Sequence, residues 1–278
     1  MTNGASQNGA RASPRWQDGL RAITFDFGNT LVPVRHEALR GVVESTAMQV
    51  VERCGPFALE AFLEAWSEER ARQFAEEVPA FREVEIPQRL VRVFARLRGH
   101  PLPAANERWD DVSATPYSTA GEVAWATEVY SGEFVAKVSV PEQVGAMLER
   151  LAGRYRLAVL SNWPLAATID RYVEAAGWSV WLHAIVVSER VGTIKPHPAI
   201  FAAAAEQLDV PPETILHVGD DWAADVVGAK AAGWRAAYLR APRGASPLPE
   251  SEPDHRATAD LELDVLTDLE RALAEGER

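Results

Sequence analysis

The chain holds a single cysteine in 278 residues, Cys54, so an internal disulfide is excluded. That fits a reducing compartment, where a lone cysteine in a helical pattern is ordinarily a small buried apolar residue. No stretch approaches the run of about 18 apolar residues that a membrane-spanning helix needs. The first 20 residues, MTNGASQNGARASPRWQDGL, lack the apolar middle of a secretory signal. The expectation is a cytoplasmic protein with no membrane partner and a loose, disordered tail over residues 1–20. Basic residues are also scarce. There are 28 Lys and Arg against 40 Asp and Glu, a net charge of −12, and no dense basic run, which argues against a nucleic-acid partner.

Apolar residues are plentiful, at 47%, enough for a sizeable core in one large domain or two ordinary ones. From about residue 139 onward, short β-branched runs alternate with helical stretches. The runs 155–161 (YRLAVLS), 183–188 (HAIVVS), 214–220 (TILHVGD) and 234–239 (WRAAYL) are apolar on both faces, the mark of strands buried under helices. Gly177 and Gly233 stand where left-handed helix caps precede the next strand. This alternation predicts an α/β fold with a doubly wound parallel sheet. Between about 34 and 138 the apolar residues instead recur at helical spacing, which predicts an all-helical insert after the first strand, in the apolar run AITFDFGNTLV (22–32). Residues 241–255, APRGASPLPESEPDH, predict a surface loop, and DLELDVLTDLERALAE predicts a terminal helix.

Parallel sheets present ligands with the carboxyl ends of their strands, and polar residues gather there. The first strand runs into Asp26, the second into Ser161 and Asn162, and the strand at 214–219 into Asp220 and Asp221, with Asp225 one helical turn on. Lys195 stands ahead of a helix in GTIKP. Any one of these aspartates alone would suggest a turn or a helix cap. Together, carboxylates at one sheet edge repel unless a hard cation such as Mg²⁺ lies among them. A hydroxyl and an ammonium beside them suit the oxygens of a phosphoryl group, and a carboxylate in that setting can attack phosphorus.

These residues resemble the haloacid dehalogenase-like (HAD) hydrolase superfamily, in the subgroup with a helical cap inserted after the first strand. The likeness spans roughly residues 21–275 and rests on four motifs in the family's order: FDFGNTLV with Asp26, VLSN with Ser161, IKPHPAIF with Lys195, and VGDDWAADVVGAKAAG with Asp220 and Asp225. It implies a Rossmann-like core of residues 21–33 and 139–278 and a cap of residues 34–138. It implies Asp26 as nucleophile, with Mg²⁺ held by Asp26, the backbone carbonyl of Gly28 and Asp220, and with Asp225 ordering the metal's surroundings. Ser161, Asn162, Lys195 and Trp163 would meet a small phosphorylated substrate, and the chain would act as a monomer or homodimer.

One position departs from the pattern. Most phosphatases of the superfamily carry a second aspartate two residues after the nucleophile, as proton donor and acceptor; here Gly28 stands there. Losing a general acid and base costs about 10²- to 10⁴-fold in rate. Three readings stay open: a Mg²⁺-dependent phosphatase suited to good leaving groups, a weakly active or non-catalytic phosphoryl-binding relative, and a metal-free 2-haloacid dehalogenase. A phosphonate hydrolase would need a cap lysine, and the segment offers Lys137 alone. His36 and His197 are titratable candidates near the motifs, although a loop position and a helix end are their ordinary explanations. Asp221 either adds charge at the metal or caps the following helix. Trp66, Phe74, Phe81, Trp125 and Tyr130 divide between packing the cap helices and facing a substrate.

Overall fold

The computed structural model describes residues 15–102, 104, 107–110, 112–119, 121–240, 244 and 246–275. Six parallel strands form one sheet: β1 (Ala22–Phe25), β2 (Arg156–Ser161), β3 (Leu182–Val187), β4 (Ile215–Gly219), β5 (Arg235–Leu239) and β6 (Leu261–Leu263). Their order is β3-β2-β1-β4-β5-β6, the doubly wound arrangement in which the chain's winding reverses between β1 and β4. Phe25 pairs with Val159 on one side and Val218 on the other, so β1, β2 and β4 end at nearly one level. That register brings Asp26, Ser161 and Asp220 to a common edge. All four side chains of β1 are buried, as a central strand requires.

Helices α1 (His36–Cys54), α2 (Leu59–Glu76), α3 (Ile86–Leu97) and α4 (Glu122–Lys137) fill the segment after β1. They are followed by α5 (Glu142–Ala152), α6 (Ala166–Ala175), α7 (Ser188–Val191) and α8 (Pro198–Leu208). A π-helical stretch, Trp222–Val227, runs into α9 (Gly228–Ala231), and α10 (Asp268–Glu275) ends the described chain. Gly177 and Gly233 adopt the left-handed conformation at φ 72° and 78°, as expected of caps. Among the described residues no helix is long and apolar enough to cross a membrane.

Two expectations need correction. The stretch DLELDVLTDLERALAE is not one helix: Leu261 and Leu263 pair with Ala237 and Leu239 of β5, and the helix starts at Asp268. The alternation Leu-Glu-Leu has a strand's period, with Leu263 turned into the core, and an unpaired edge of β5 accepts it. The expected tail falls partly on residues 1–14, outside the described residues. Residues 15–20 are not loose, because Trp16 and Leu20 pack against the core and Gln17 Nε2 donates to the Ala272 carbonyl at 3.2 Å.

Aromatic rings join the helical segment to the sheet. Phe27, next to Asp26, meets Trp163 and Tyr172 edge-on at 5.3 Å each, and Phe134 of α4 meets Trp163 at 5.3 Å. Ser131 of α4 and Thr168 of α6 share a buried hydrogen bond of 2.8 Å. Within the segment, Glu69 of α2 is 1% exposed and takes Arg92 and Arg96 of α3 at 2.6 and 3.2 Å, with Arg72 at 2.8 Å. Removing one partner of a buried ion pair leaves the other charge uncompensated. Glu69→Ala should therefore lower unfolding free energy by about 3–5 kcal/mol in chemical denaturation; a loss under about 1 kcal/mol would mean that these pairs contribute no more than surface ones do.

Candidate active site

Lys195 lies in the turn before α8, 2% exposed, with its ammonium under the sheet edge. Its Nζ donates to Asp26 Oδ1 at 2.8 Å, Asp225 Oδ1 at 2.6 Å and the Leu160 carbonyl at 2.9 Å, which uses all three of its protons. Ser161 Oγ donates to the same Asp26 oxygen at 3.0 Å. No donor to Asp26 Oδ2 is found among the described residues. Behind Asp225, His217 Nε2 lies 3.0 Å from Asp225 Oδ1, and its Nδ1 lies 2.8 Å from Thr24 Oγ1. A neutral ring with its proton on Nε2 satisfies both contacts, and burial pulls the His217 pKa down in agreement. Asp225 Oδ2 accepts from the Asp221 amide at 2.9 Å, so both its oxygens are engaged. Gly219 makes room for this carboxylate, since a Cβ there would fall on it.

The other expected residues divide. Asn162 clamps the lysine turn: its Oδ1 accepts from Lys195 N at 2.7 Å and its Nδ2 donates to Lys195 O at 3.0 Å. Asp220 Oδ1 accepts from Thr30 Oγ1 at 3.0 Å. Asp221 caps the π-helical stretch, accepting from Ala224 N at 2.8 Å and from Ser251 Oγ at 2.6 Å. His197 caps α8 through Nδ1 at 3.3 Å, and His36 is exposed, away from both cavities described next. Lys137 pairs with Glu133 at 3.4 Å and likewise lines neither.

Charge at this edge is unbalanced. Burial raises the Asp26 pKa to about 6 despite Lys195. Burial and then the charges of Asp26 and Asp225 raise Asp220 to about 8. Burial disfavours the charge on Asp225 too, yet Lys195 and His217 outweigh it and hold this carboxyl well below the usual range. One ammonium thus serves several buried carboxyls.

A cavity of about 90 Å³ opens over these groups, lined by Asp26, Gly28, Asp220, Asp225, Lys195 and Trp163 among others. It adjoins one of about 400 Å³ that shares Asn162, Trp163 and Lys195 and extends to α2 and α3. Of the aromatic residues in the helical segment, Phe74, Phe81 and Tyr130 line the larger cavity, whereas Trp66 and Trp125 do not.

A family model described as haloacid dehalogenase-like hydrolase matches residues 20–233. The chain belongs to that family. Among curated relatives, the 5-amino-6-(5-phospho-D-ribitylamino)uracil phosphatase YigB of Escherichia coli is 28% identical over 81% of this chain and 85% of its own. The glyceraldehyde 3-phosphate phosphatase of Methanopyrus kandleri is 24% identical over 92% and 99%. Among solved structures, a 2-haloacid dehalogenase from Pseudomonas syringae superposes with a TM-score of 0.65 at 24% identity, covering 92% of this chain and 99% of that one, which shows the shared fold.

In this HAD-like hydrolase the position of Gly28 is already occupied from outside. Leu248, in the loop between β5 and β6, puts its Cδ1 2.5 Å from where a Cβ on residue 28 would lie, and Trp163 stands 3.2 Å away. The loop is tied down on both sides: Arg70 of α2 donates to the Pro247 carbonyl at 3.0 Å, and Ser251 Oγ bonds Asp221 and accepts from the Ala223 amide at 2.6 Å. Sequence reading leaves this loop as surface, because proline-rich polar composition carries no sign of what it covers; residues 241–243 and 245 of it lie outside the described residues. His217 was equally missed, although a histidine inside a buried strand run is the signal that could have found it. Gly28→Ala should destabilise by about 1–2 kcal/mol by overpacking, and by less than half as much in a Leu248→Ala background, measured by urea denaturation in a double-mutant cycle. An equal loss in both backgrounds would refute the contact.

Proposed function

We propose that this hydrolase removes the phosphoryl group from a small phosphorylated metabolite through an aspartyl-phosphate at Asp26, with Mg²⁺ as cofactor. The observation that carries this reading is the Asp26 carboxylate, held through one oxygen by Lys195 and Ser161 with its other oxygen undonated, in a cavity that Asp220 and Gly28 also line. The phosphatase names of the two curated relatives support it.

In this reading, Asp26 Oδ2 attacks phosphorus and the ester oxygen departs with the bonding pair. Water then attacks the same phosphorus, the bond from phosphorus to the Asp26 oxygen breaks, and orthophosphate leaves with Asp26 restored. Ser161 and Lys195 fix the nucleophile's orientation through Oδ1, and the nearby Lys195 charge favours negative charge developing on the phosphoryl oxygens. The donor chemistry fits a hard divalent cation. Asp26, Asp220 and the Gly28 carbonyl offer oxygens only, and the buried carboxyls outnumber the one ammonium. Among the described residues no three His, Cys, Asp or Glu side chains are placed to hold a metal ion by themselves; in this reading the Gly28 carbonyl would join Asp26 and Asp220. When bound, Mg²⁺ would supply positive charge to the phosphoryl group in transfer. Asp225 is left out of the ligand set because its oxygens already hold Lys195, His217 and the Asp221 amide; it acts through Lys195. Metal-free carbon–halogen hydrolysis fits less well, since the Lys195 ammonium alone would then face several buried carboxyls.

Residues 34–138 form the cap in this reading, over a core of residues 21–33 and 139–278. Cys54 is buried, and its thiol pKa is raised to about 11 by that burial, which suits an unreactive residue in a reducing cytoplasm. With no acid at position 28, esters with good leaving groups are the favoured substrates. Purified protein should hydrolyse aryl phosphates with Mg²⁺, lose activity with EDTA, and slow steeply as the leaving group's pKa rises. Asp26→Asn should reduce kcat by about 10⁴-fold or more while the fold is kept. Activity indifferent to EDTA, or surviving in Asp26→Asn, would refute the proposal.

A further inference from the structure

The larger cavity is lined by two arginines that form no ion pair among the described residues. Arg89 of α3 is 4% exposed and lines this cavity. Its Nε donates to Gln73 Oε1 at 2.8 Å and its Nη2 to the Val84 carbonyl at 3.3 Å, and its guanidinium lies 4.7 Å over the Trp66 ring. All three partners are neutral. Arg92 and Arg96, further along the same helix, share Glu69, but among the described residues no carboxylate lies within 4.0 Å of Arg89. The same holds for Arg70 of α2, which lines the cavity, donates to the Pro247 carbonyl and sits 4.6 Å over Phe74.

Burying an unpaired charge is costly, and two like charges at one wall add to the cost. Burial, helped by the Arg70 charge, lowers the Arg89 pKa to about 10. Glu83 and Glu69 offset this only in part and from beyond ion-pair distance. Glu83 accepts from the Val84 amide at 2.7 Å and from the Ser188 hydroxyl, Asp221 caps its helix, and Glu250 pairs with neither arginine. Another group also lacks a partner: the buried indole N–H of Trp163, which lines both cavities, has no acceptor among the described residues.

We propose that the substrate carries a second anionic group, a carboxylate or a second phosphate, bound by Arg89 and Arg70 at the helical wall of the cavity that Lys195 also lines. The body between the two anions is apolar or aromatic, matching walls that include Phe74, Phe81, Ile86 and Trp163. A volume of about 400 Å³ is in the range of small-metabolite sites. The inference rests on the phosphatase reading and narrows its substrate class to phosphomonoesters with an anion at the other end. Guanidinium groups are well suited to that end, since they bind carboxylate and phosphate oxygens in paired hydrogen bonds.

Non-hydrolysable ligands separate this inference from turnover. Calorimetry with Mg²⁺ in the buffer would compare ω-phosphonocarboxylates and α,ω-bisphosphonates of graded spacer length with alkylphosphonates of matching length. At the best spacer, the second anion should tighten binding by about tenfold or more, the gain expected from one charge-assisted contact. Whether carboxylate or phosphonate gains more identifies which anion the site takes. Arg70→Gln and Arg89→Gln should each remove most of that gain, read within each variant as the ratio of its affinities for the second-anion ligand and for the matching alkylphosphonate. If Arg89→Gln fails to fold, the half-buried Arg70 decides alone. No gain at any spacer, or a gain that survives the substitutions, overturns the inference while alkylphosphonate binding and aryl phosphate turnover leave the phosphatase reading standing. Absence of both alkylphosphonate binding and ester turnover overturns the two together.

Discussion

The Lys195 ammonium is the group around which the rest of this site is arranged. It is buried, so its charge is tolerable only where acceptors surround it, and Asp26, Asp225 and the Leu160 carbonyl supply three. Burial alone would lower its pKa, yet Asp225 and Asp26 more than compensate and hold it above the ordinary lysine range. Each acceptor is in turn fixed by a different element. Asp26 is fixed by β1 and Ser161, Asp225 by His217 and the Asp221 amide, and the lysine turn by the two hydrogen bonds of Asn162. The result is one connected polar line, from Thr24 and His217 through Asp225 and Lys195 to Asp26 and Ser161, in which every member's position depends on its neighbours.

Much of this was legible in the sequence because parallel strands buried on both faces read as unbroken apolar runs, and their polar last residues then stand out. Asp26, Ser161 and Asp220 stand out in that way, and the sheet register brings their strands to one level, whereas Lys195 stands out by its place in a loop ahead of a helix. What stayed hidden depends on contacts between segments distant in sequence. The pairing of Leu261 and Leu263 with β5 is invisible in a stretch that also has helical spacing. Leu248 reaches residue 28 across more than two hundred positions, from a loop whose composition resembles that of any solvated turn. Arg89 follows the same helical pattern as Arg92, and only the structure shows that Glu69 serves one of them and not the other.

Gly28 takes a fuller meaning in this setting. A small residue there keeps the backbone at the cavity free while Leu248 fills the volume above it, so the floor of the site is built jointly by the first strand's turn and a loop near the chain's end. That loop is also tied to α2 through Arg70, one of the two arginines at the wall of the larger cavity. In the proposed reading, the loop over the phosphoryl site and the charge that meets the substrate's other end therefore share a residue. Such coupling gives a physical route by which binding the far end of a substrate can order the groups around the near end.

The central claim is that Asp26, oriented by Lys195, forms a covalent bond to phosphorus. Quenching the enzyme during turnover of a phosphomonoester with Mg²⁺, followed by borohydride reduction and peptide mass spectrometry, tests it directly, because reduction converts an aspartyl-phosphate to homoserine. Homoserine at position 26, formed only when ester and Mg²⁺ are both present, is the expected result. Unmodified aspartate at position 26 throughout active turnover would contradict the claim.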